Sequence, residues 1–86
     1  MQGANFRMPS VDGPNNLERG RTLCQQGLFH EAVPFFETAL AMAQRNFGEN
    51  APEIAEYLED LGDAYAAVER ASESLMVFDR LYRLAE

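Results

Sequence analysis

The sequence predicts an all-α fold of two antiparallel helical hairpins, four helices in all, and three observations predict it. Apolar residues recur at three- and four-residue spacing after Asn15, His30, Asn50 and Ser72, the period of a helix with one buried face. Glycine and proline punctuate the connections, which are short enough to make consecutive helices antiparallel neighbours. The chain also matches itself at an offset of 42 residues, so the second half repeats what the first half forms.

Residues 1–14, MQGANFRMPSVDGP, hold two Gly, two Pro and no helical period, which predicts an irregular leader. Asn15 and Glu18 have the spacing of a capping box, in which each side chain satisfies a backbone donor of the other, and they open a first helix that Gly27 stops. The second helix, from about His30 to Phe47, carries Val33, Phe36, Ala39, Leu40 and Ala43 along one side and stops at Gly48. Pro34 is compatible with it, because N–H groups in the first turn have no intrahelical acceptor to lose. Asn50 and Glu53 repeat the capping-box spacing with Pro52 between them, and the third helix carries Ile54, Leu58, Leu61, Tyr65 and Val68. A fourth helix from about Ser72 holds Leu75, Phe78, Leu81 and Tyr82. The expected organisation is a leader over 1–14 and one helical domain over 15–86, divided into repeats at about 15–48 and 50–86.

A chain of 86 residues is one domain with a thin core, too small for an elaborate enzyme. Its 14 acidic and 7 basic side chains give a net charge of −7, which repels phosphate backbones and anionic lipid. Neither nucleic acid nor a membrane is therefore expected as a partner, whereas basic partners remain open. One cysteine, Cys24, forms no internal disulfide, and neither a signal-peptide pattern over Met1–Ser10 nor an apolar run of membrane-spanning length is present. A cytoplasmic protein is expected. All seven basic residues are Arg, a composition that points to a GC-rich, bacterial source.

The chemistry-bearing residues are sparse. His30 is the single histidine, and with Cys24 and the Ser and Asp residues it forms neither a nucleophile motif nor a zinc set, so no catalytic residue, metal or cofactor is expected. Glu53, Glu56, Glu59, Asp60 and Asp63 share one helix, but without Glu-x-x-His pairs they read as a solvated or partner-facing charge run. His30 reads as a surface residue at a helix start, and Cys24, Met42 and Met76 as packing residues. Gly20 and Gly62 lie inside helices with no phosphate-binding motif around them.

At the 42-residue offset Gly20 falls on Gly62, Leu23 on Tyr65, Ala32 on Ser74, Phe36 on Phe78, Ala39 on Leu81 and Leu40 on Tyr82. Leu58, Leu61, Gly62 and Tyr65, followed by Ser74 and Phe78, keep the spacing of the tetratricopeptide signature, with Leu in its Trp position. The chain resembles a pair of tetratricopeptide repeats over about residues 14–86, of the 42-residue variety seen in kinesin light chains and many bacterial proteins. It departs from the pattern at Asn16 and Arg19, where large apolar residues are expected, and at Glu69 and Ala71, which replace the Gly27 and Phe29 of the first copy.

The resemblance implies an α-solenoid fragment and a non-catalytic interaction module that binds a peptide or partner protein in its concave face. In the family's register that face holds Arg21 and Gln25 from the first copy and Glu56, Glu59, Asp60 and Asp63 from the second. Such a face selects basic or amide-rich ligands, or else is kept charged for solubility alone. It lacks the Lys, Asn and Arg clamp of chaperone-tail tetratricopeptide domains, so acidic tails should be poor ligands. A second expectation, of a different class, is a self-assembly element. Two repeats are few for an array, and Leu75, Met76, Phe78, Leu81 and Tyr82 surround more of the last helix than one partner helix can cover. A homodimer or hetero-complex would bury them.

Overall fold

The computed structural model describes residues 12–85. Four helices follow one another: α1 (Asp12–Gln25), α2 (Phe29–Phe47), α3 (Ala55–Ala67) and α4 (Ala71–Ala85), with a single 3₁₀ turn at Pro52–Ile54 leading into α3. The architecture is the all-α pair of antiparallel hairpins expected from the sequence. α1 pairs with α2, α3 pairs with α4, and α2 joins the hairpins by packing on α3 as well.

Two starts differ from the sequence expectation. α1 begins at Asp12, three residues before Asn15, so Asp12–Pro14 belong to the helix rather than to a leader, and Asn15 is not its cap. Pro14 falls within the first turn, where its missing N–H costs no hydrogen bond, and so it does not mark a boundary. The rest of the expected leader, residues 1–11, lies outside the described residues. The second capping box is also not formed. Ala51, the residue before Pro52, is extended at φ −72° and ψ 141°, as the proline ring requires, and no side chain caps the turn that follows.

The core is assembled from the faces the periodicity marked. Ala32, Val33, Phe36, Ala39, Leu40 and Ala43 of α2 are buried together with Ile54, Leu58, Leu61, Ala64 and Tyr65, and Leu17 joins them from α1. Phe36, Ile54 and Leu58 are its largest fully enclosed side chains. Leu23, Cys24, Val68, Val77, Leu81 and Leu84 pack around it partly exposed. α4 contributes least, since Ser74 is its one buried residue, and the Ser74 hydroxyl donates to the Gly62 carbonyl at 3.0 Å.

The separation of the helices within each hairpin is set by a glycine beneath an aromatic ring. A Cβ placed on Gly20 would lie 2.5 Å from the nearest atom of the Phe36 ring, and one on Gly62 would lie 2.7 Å from Phe78. Both distances are well inside van der Waals contact, so each ring rests on bare helix backbone. The two contacts are related by the 42-residue offset.

The turns also correspond. After α1, the Leu28 N–H donates to the Leu23 carbonyl at 2.8 Å and the Gly27 N–H to the Cys24 carbonyl at 2.9 Å. After α3, the Arg70 N–H donates to Tyr65 at 2.8 Å and the Glu69 N–H to Ala66 at 3.1 Å. These paired bonds close a helix on a left-handed residue. Gly27 occupies that place at φ 81° without penalty, but Glu69 occupies it at φ 65°, where a Cβ crowds the following carbonyl.

Three substitutions test this account. Gly20→Ala should destabilise by about 1 to 3 kcal/mol, although alanine is the better helix former, because Phe36 is enclosed and cannot yield. Gly62→Ala should cost less, because Phe78 is half-exposed and its ring can move aside. Equal costs in urea denaturation would contradict the role given to Phe36 burial. Glu69→Gly should stabilise by about 0.5 to 1 kcal/mol, read as a higher denaturation midpoint at unchanged slope.

Candidate functional site

α1 and α3 lie side by side and share one face of the molecule. The three- and four-residue spacing that places Ile54, Leu58 and Leu61 inward turns Glu56, Glu59 and Asp63 outward, and Arg21 stands on α1 opposite them. The Arg21 Nε–H donates to Asp60 Oδ2 at 2.6 Å, and its outer nitrogen lies 3.8 Å from Glu56 Oε2. Its guanidinium pKa is raised, chiefly by the hydrogen bond to Asp60 and then by the charges of Asp60, Glu56 and Glu59, partly offset by burial. Arg21 thus ties the two repeats together across 39 residues of chain.

Beside this pair runs a groove of about 310 Å³ whose walls include Arg21, Cys24, Gln25, Asp60 and Asp63, with the Phe36 ring at its floor. Of the six residues expected on this face, Arg21, Gln25, Asp60 and Asp63 line the groove, and Glu56 is within ion-pair distance of Arg21. Glu59 is exposed and close enough to raise the Arg21 pKa. Glu59 and Asp63 enter no ion pair among the described residues. Cys24, Phe29 and Ala64 complete the lining and were not expected there. Burial, then the charges of Asp60 and Asp63, push the Cys24 thiol pKa up, so the group stays protonated and a poor nucleophile. Among the described residues no group of three or more His, Cys, Asp or Glu is placed to hold a metal ion.

A second polar cluster closes the other side of the core. The Tyr65 hydroxyl donates to Glu37 Oε2 at 2.6 Å, and the Arg70 guanidinium lies 4.7 Å above the Tyr65 ring while pairing with Glu73. Glu37 and Tyr65 are 28 residues apart and share no motif, so only the packing of α2 on α3 reveals the contact. Arg80 of α4 likewise donates to the Gln44 side chain and to the Glu49 carbonyl, fastening α4 to the end of α2.

The apolar residues expected to mediate self-association divide into two groups. Tyr82 is 76% exposed and borders a depression of about 500 Å³ with Phe78, Leu81 and Ala85 in its wall, whereas Leu75, 70% exposed, is not among its lining residues. Met76 is also 70% exposed, which rules out its reading as a core residue. It does not join the others, because a turn of about 100° per residue carries it well round the helix from Leu75, Phe78 and Tyr82. Leu81 packs against the core and forms the inner edge of the depression. No helix among the described residues is long and apolar enough to cross a membrane.

Two helical hairpins joined through α2 and α3, each closed by a glycine under a phenylalanine, define a short α-solenoid. The tetratricopeptide repeat family model matches residues 14–86, and the chain belongs to that family, a family of non-catalytic repeats that generally mediate protein–protein interaction. No curated protein and no solved structure matches the chain.

The Tyr65 cluster makes a pH prediction. Burial first, then the hydrogen bond and the charge of Glu37, push the Tyr65 pKa up from 10 to about 12. The folded chain therefore holds this proton more tightly than the unfolded one. The resulting stabilisation is complete below pH about 10 and is lost as the pH rises through about 12. Tyr65→Phe should flatten that part of the alkaline decline in denaturation midpoints measured between pH about 9 and about 12. An unchanged decline would mean that Tyr65 does not titrate late.

Proposed function

We propose that the chain is a protein-interaction module whose α1/α3 face takes a basic or amide-rich peptide segment. The observation that carries this reading is the uneven charge of the groove. Glu56, Glu59, Asp60 and Asp63 project along one helix, and Arg21 engages two of them, which leaves Glu59 and Asp63 to repel one another at the groove's rim. An arginine or lysine of a ligand removes that repulsion, Gln25 offers an amide to a peptide backbone, and the part-exposed Phe29 ring accepts an aliphatic stem. The protonated thiol of Cys24 contributes surface rather than chemistry.

The recurrence at 42 residues of the glycine contacts and of the left-handed turns supports assignment to the kinesin-light-chain-like variety of the family. The single, unpaired thiol is in keeping with a cytoplasmic setting. A second reading, self-assembly, is favoured by the exposure of Leu75 and Tyr82 on α4.

Charge reversal tests the groove. A short peptide rich in Arg and Gln should bind the native chain, and Glu59→Arg with Asp63→Arg should weaken it by about tenfold or more and abolish its salt dependence. Both positions are exposed, so helical circular dichroism should be unaltered. Affinity and salt dependence that survive the reversal would leave the carboxylates with a solubility role only.

A further inference from the structure

The α1/α3 groove already receives one guanidinium, the chain's own. Arg21 lines it with its Nε–H on Asp60 and an outer nitrogen near Glu56, so one end of the groove shows how an arginine is held on α3. The spacing continues past that pair. Asp63 and Ala64 follow Asp60 on α3 as Cys24 and Gln25 follow Arg21 on α1, so a second layer stands about 5 to 6 Å along the helices from the first. In this layer the carboxylate of Asp63 is exposed and enters no ion pair among the described residues. Cys24 and Ala64 are small, and between them the groove keeps its volume of about 310 Å³.

An aromatic ring distinguishes this second layer. The turn after α1 closes on Gly27 in the left-handed region and returns the chain so that Phe29, the first residue of α2, also lines the groove. Phe29 is 37% exposed and lies outside the buried core. The second hairpin closes with Ala71 at the corresponding place, 42 residues on, so closure itself requires no ring there. An exposed ring, an unpaired carboxylate and the Gln25 amide around one small hollow suit a particular cation. Arginine lays its flat guanidinium on an aromatic face while donating two parallel bonds to a carboxylate, and its weak hydration makes leaving water inexpensive. Lysine brings a compact, strongly hydrated ammonium with no flat face. Arg21 does not turn such a cation away, because Glu56, Glu59, Asp60 and Asp63 outnumber it and the local field stays attractive.

We propose that the groove is a pocket for one arginine side chain of a partner protein, seated on Asp63 and against Phe29 with the Gln25 carbonyl accepting from its remaining edge. The proposal rests on the basic-ligand reading of this face and names the residue that the face selects. Asp63 supplies the selection for charge, and Phe29 the selection for arginine over lysine. Arg21 limits the number: by holding Asp60 and standing near Glu56 it takes the first layer for the chain itself, so the groove accepts one incoming guanidinium rather than two. The bond that joins the two repeats and the specificity of the pocket are thus parts of one arrangement.

Titration of the full chain, followed by amide NMR shifts, tests the proposal with short Ser- and Gln-based peptides that differ only at one central residue. The Arg peptide should bind about tenfold more tightly than the Lys peptide, and a citrulline peptide, which keeps the shape without the charge, about tenfold or more weakly than the Arg one. In the native chain the largest shift changes should fall on Gln25, Phe29 and Asp63, a readout that needs no variant. Asp63→Asn should weaken the Arg peptide about tenfold. Phe29→Leu should bring the Arg and Lys peptides to within about twofold of each other, and Phe29→Tyr, which keeps an aromatic face, should retain the preference. Equal affinity for Arg and Lys, shift changes that avoid Phe29 and Asp63, or binding of the Arg- and Gln-rich peptide alone overturns the arginine pocket and leaves the basic-ligand reading standing. Failure of every one of these peptides to bind overturns both.

Discussion

Each hairpin closes as far as the missing Cβ of one glycine allows. With Phe36 seated on Gly20 and Phe78 on Gly62, the backbones approach closely enough for Ala32, Ala39 and Ser74 to fill the remaining space, and a larger residue at any of these places would part the helices. The α1/α3 face follows from the same constraint. α1 and α3 are positioned by their partners α2 and α4, so the reach of Arg21 to Asp60 depends on two glycines whose tight contacts are with Phe36 and Phe78. The Phe36 ring serves both purposes, because one side rests on Gly20 and its edge floors the groove.

Much of this was legible in the sequence because the signals are local. Helix periodicity, the glycine stops and the 42-residue offset each require only neighbours along the chain or a comparison of the chain with itself. The errors lay where one local pattern had two physical outcomes. Asn15 with Glu18 and Asn50 with Glu53 have capping-box spacing, yet neither marks a start: Pro14 was tolerated inside a helix that had already begun, and Pro52 held Ala51 extended and delayed α3. Of the groove, the carboxylate stripe and the place of Arg21 and Gln25 opposite it were readable through the repeat register, while the pairing of Arg21 with Asp60 and Glu56 came from the structure. The Tyr65 to Glu37 bond and the place of Cys24 in the groove wall were not, because they depend on how far two helices slide past one another. Met76 shows the same limit on a single helix, since apolar character alone did not separate the stripe from the opposite side.

The four helices divide the chain's chemistry unequally. α2 is enclosed between its neighbours and carries most of the core, α3 combines a buried side with the acidic one, α1 turns Asn15 and Arg19 outward, and α4 alone is both apolar and electrically balanced. Function in this architecture follows from which side each helix leaves uncovered. α1 presents amide and guanidinium groups where α4 presents exposed apolar ones.

The left-handed turn at Glu69 has a kinetic meaning as well as an energetic one. In a stack of repeats, stability is the sum of what each unit holds alone and what its neighbour adds, and among the described residues α4 packs chiefly on α3 alone. Among the described residues α4 is tethered by the one turn that forces a non-glycine residue into positive φ, and Ser74 is its single buried side chain. With so little of it enclosed, α4 is expected to exchange its amides with solvent before α2 and α3 do. Any contact that α4 makes with another molecule then sets the lifetime of the second hairpin, so association and local folding at this end of the chain are one equilibrium.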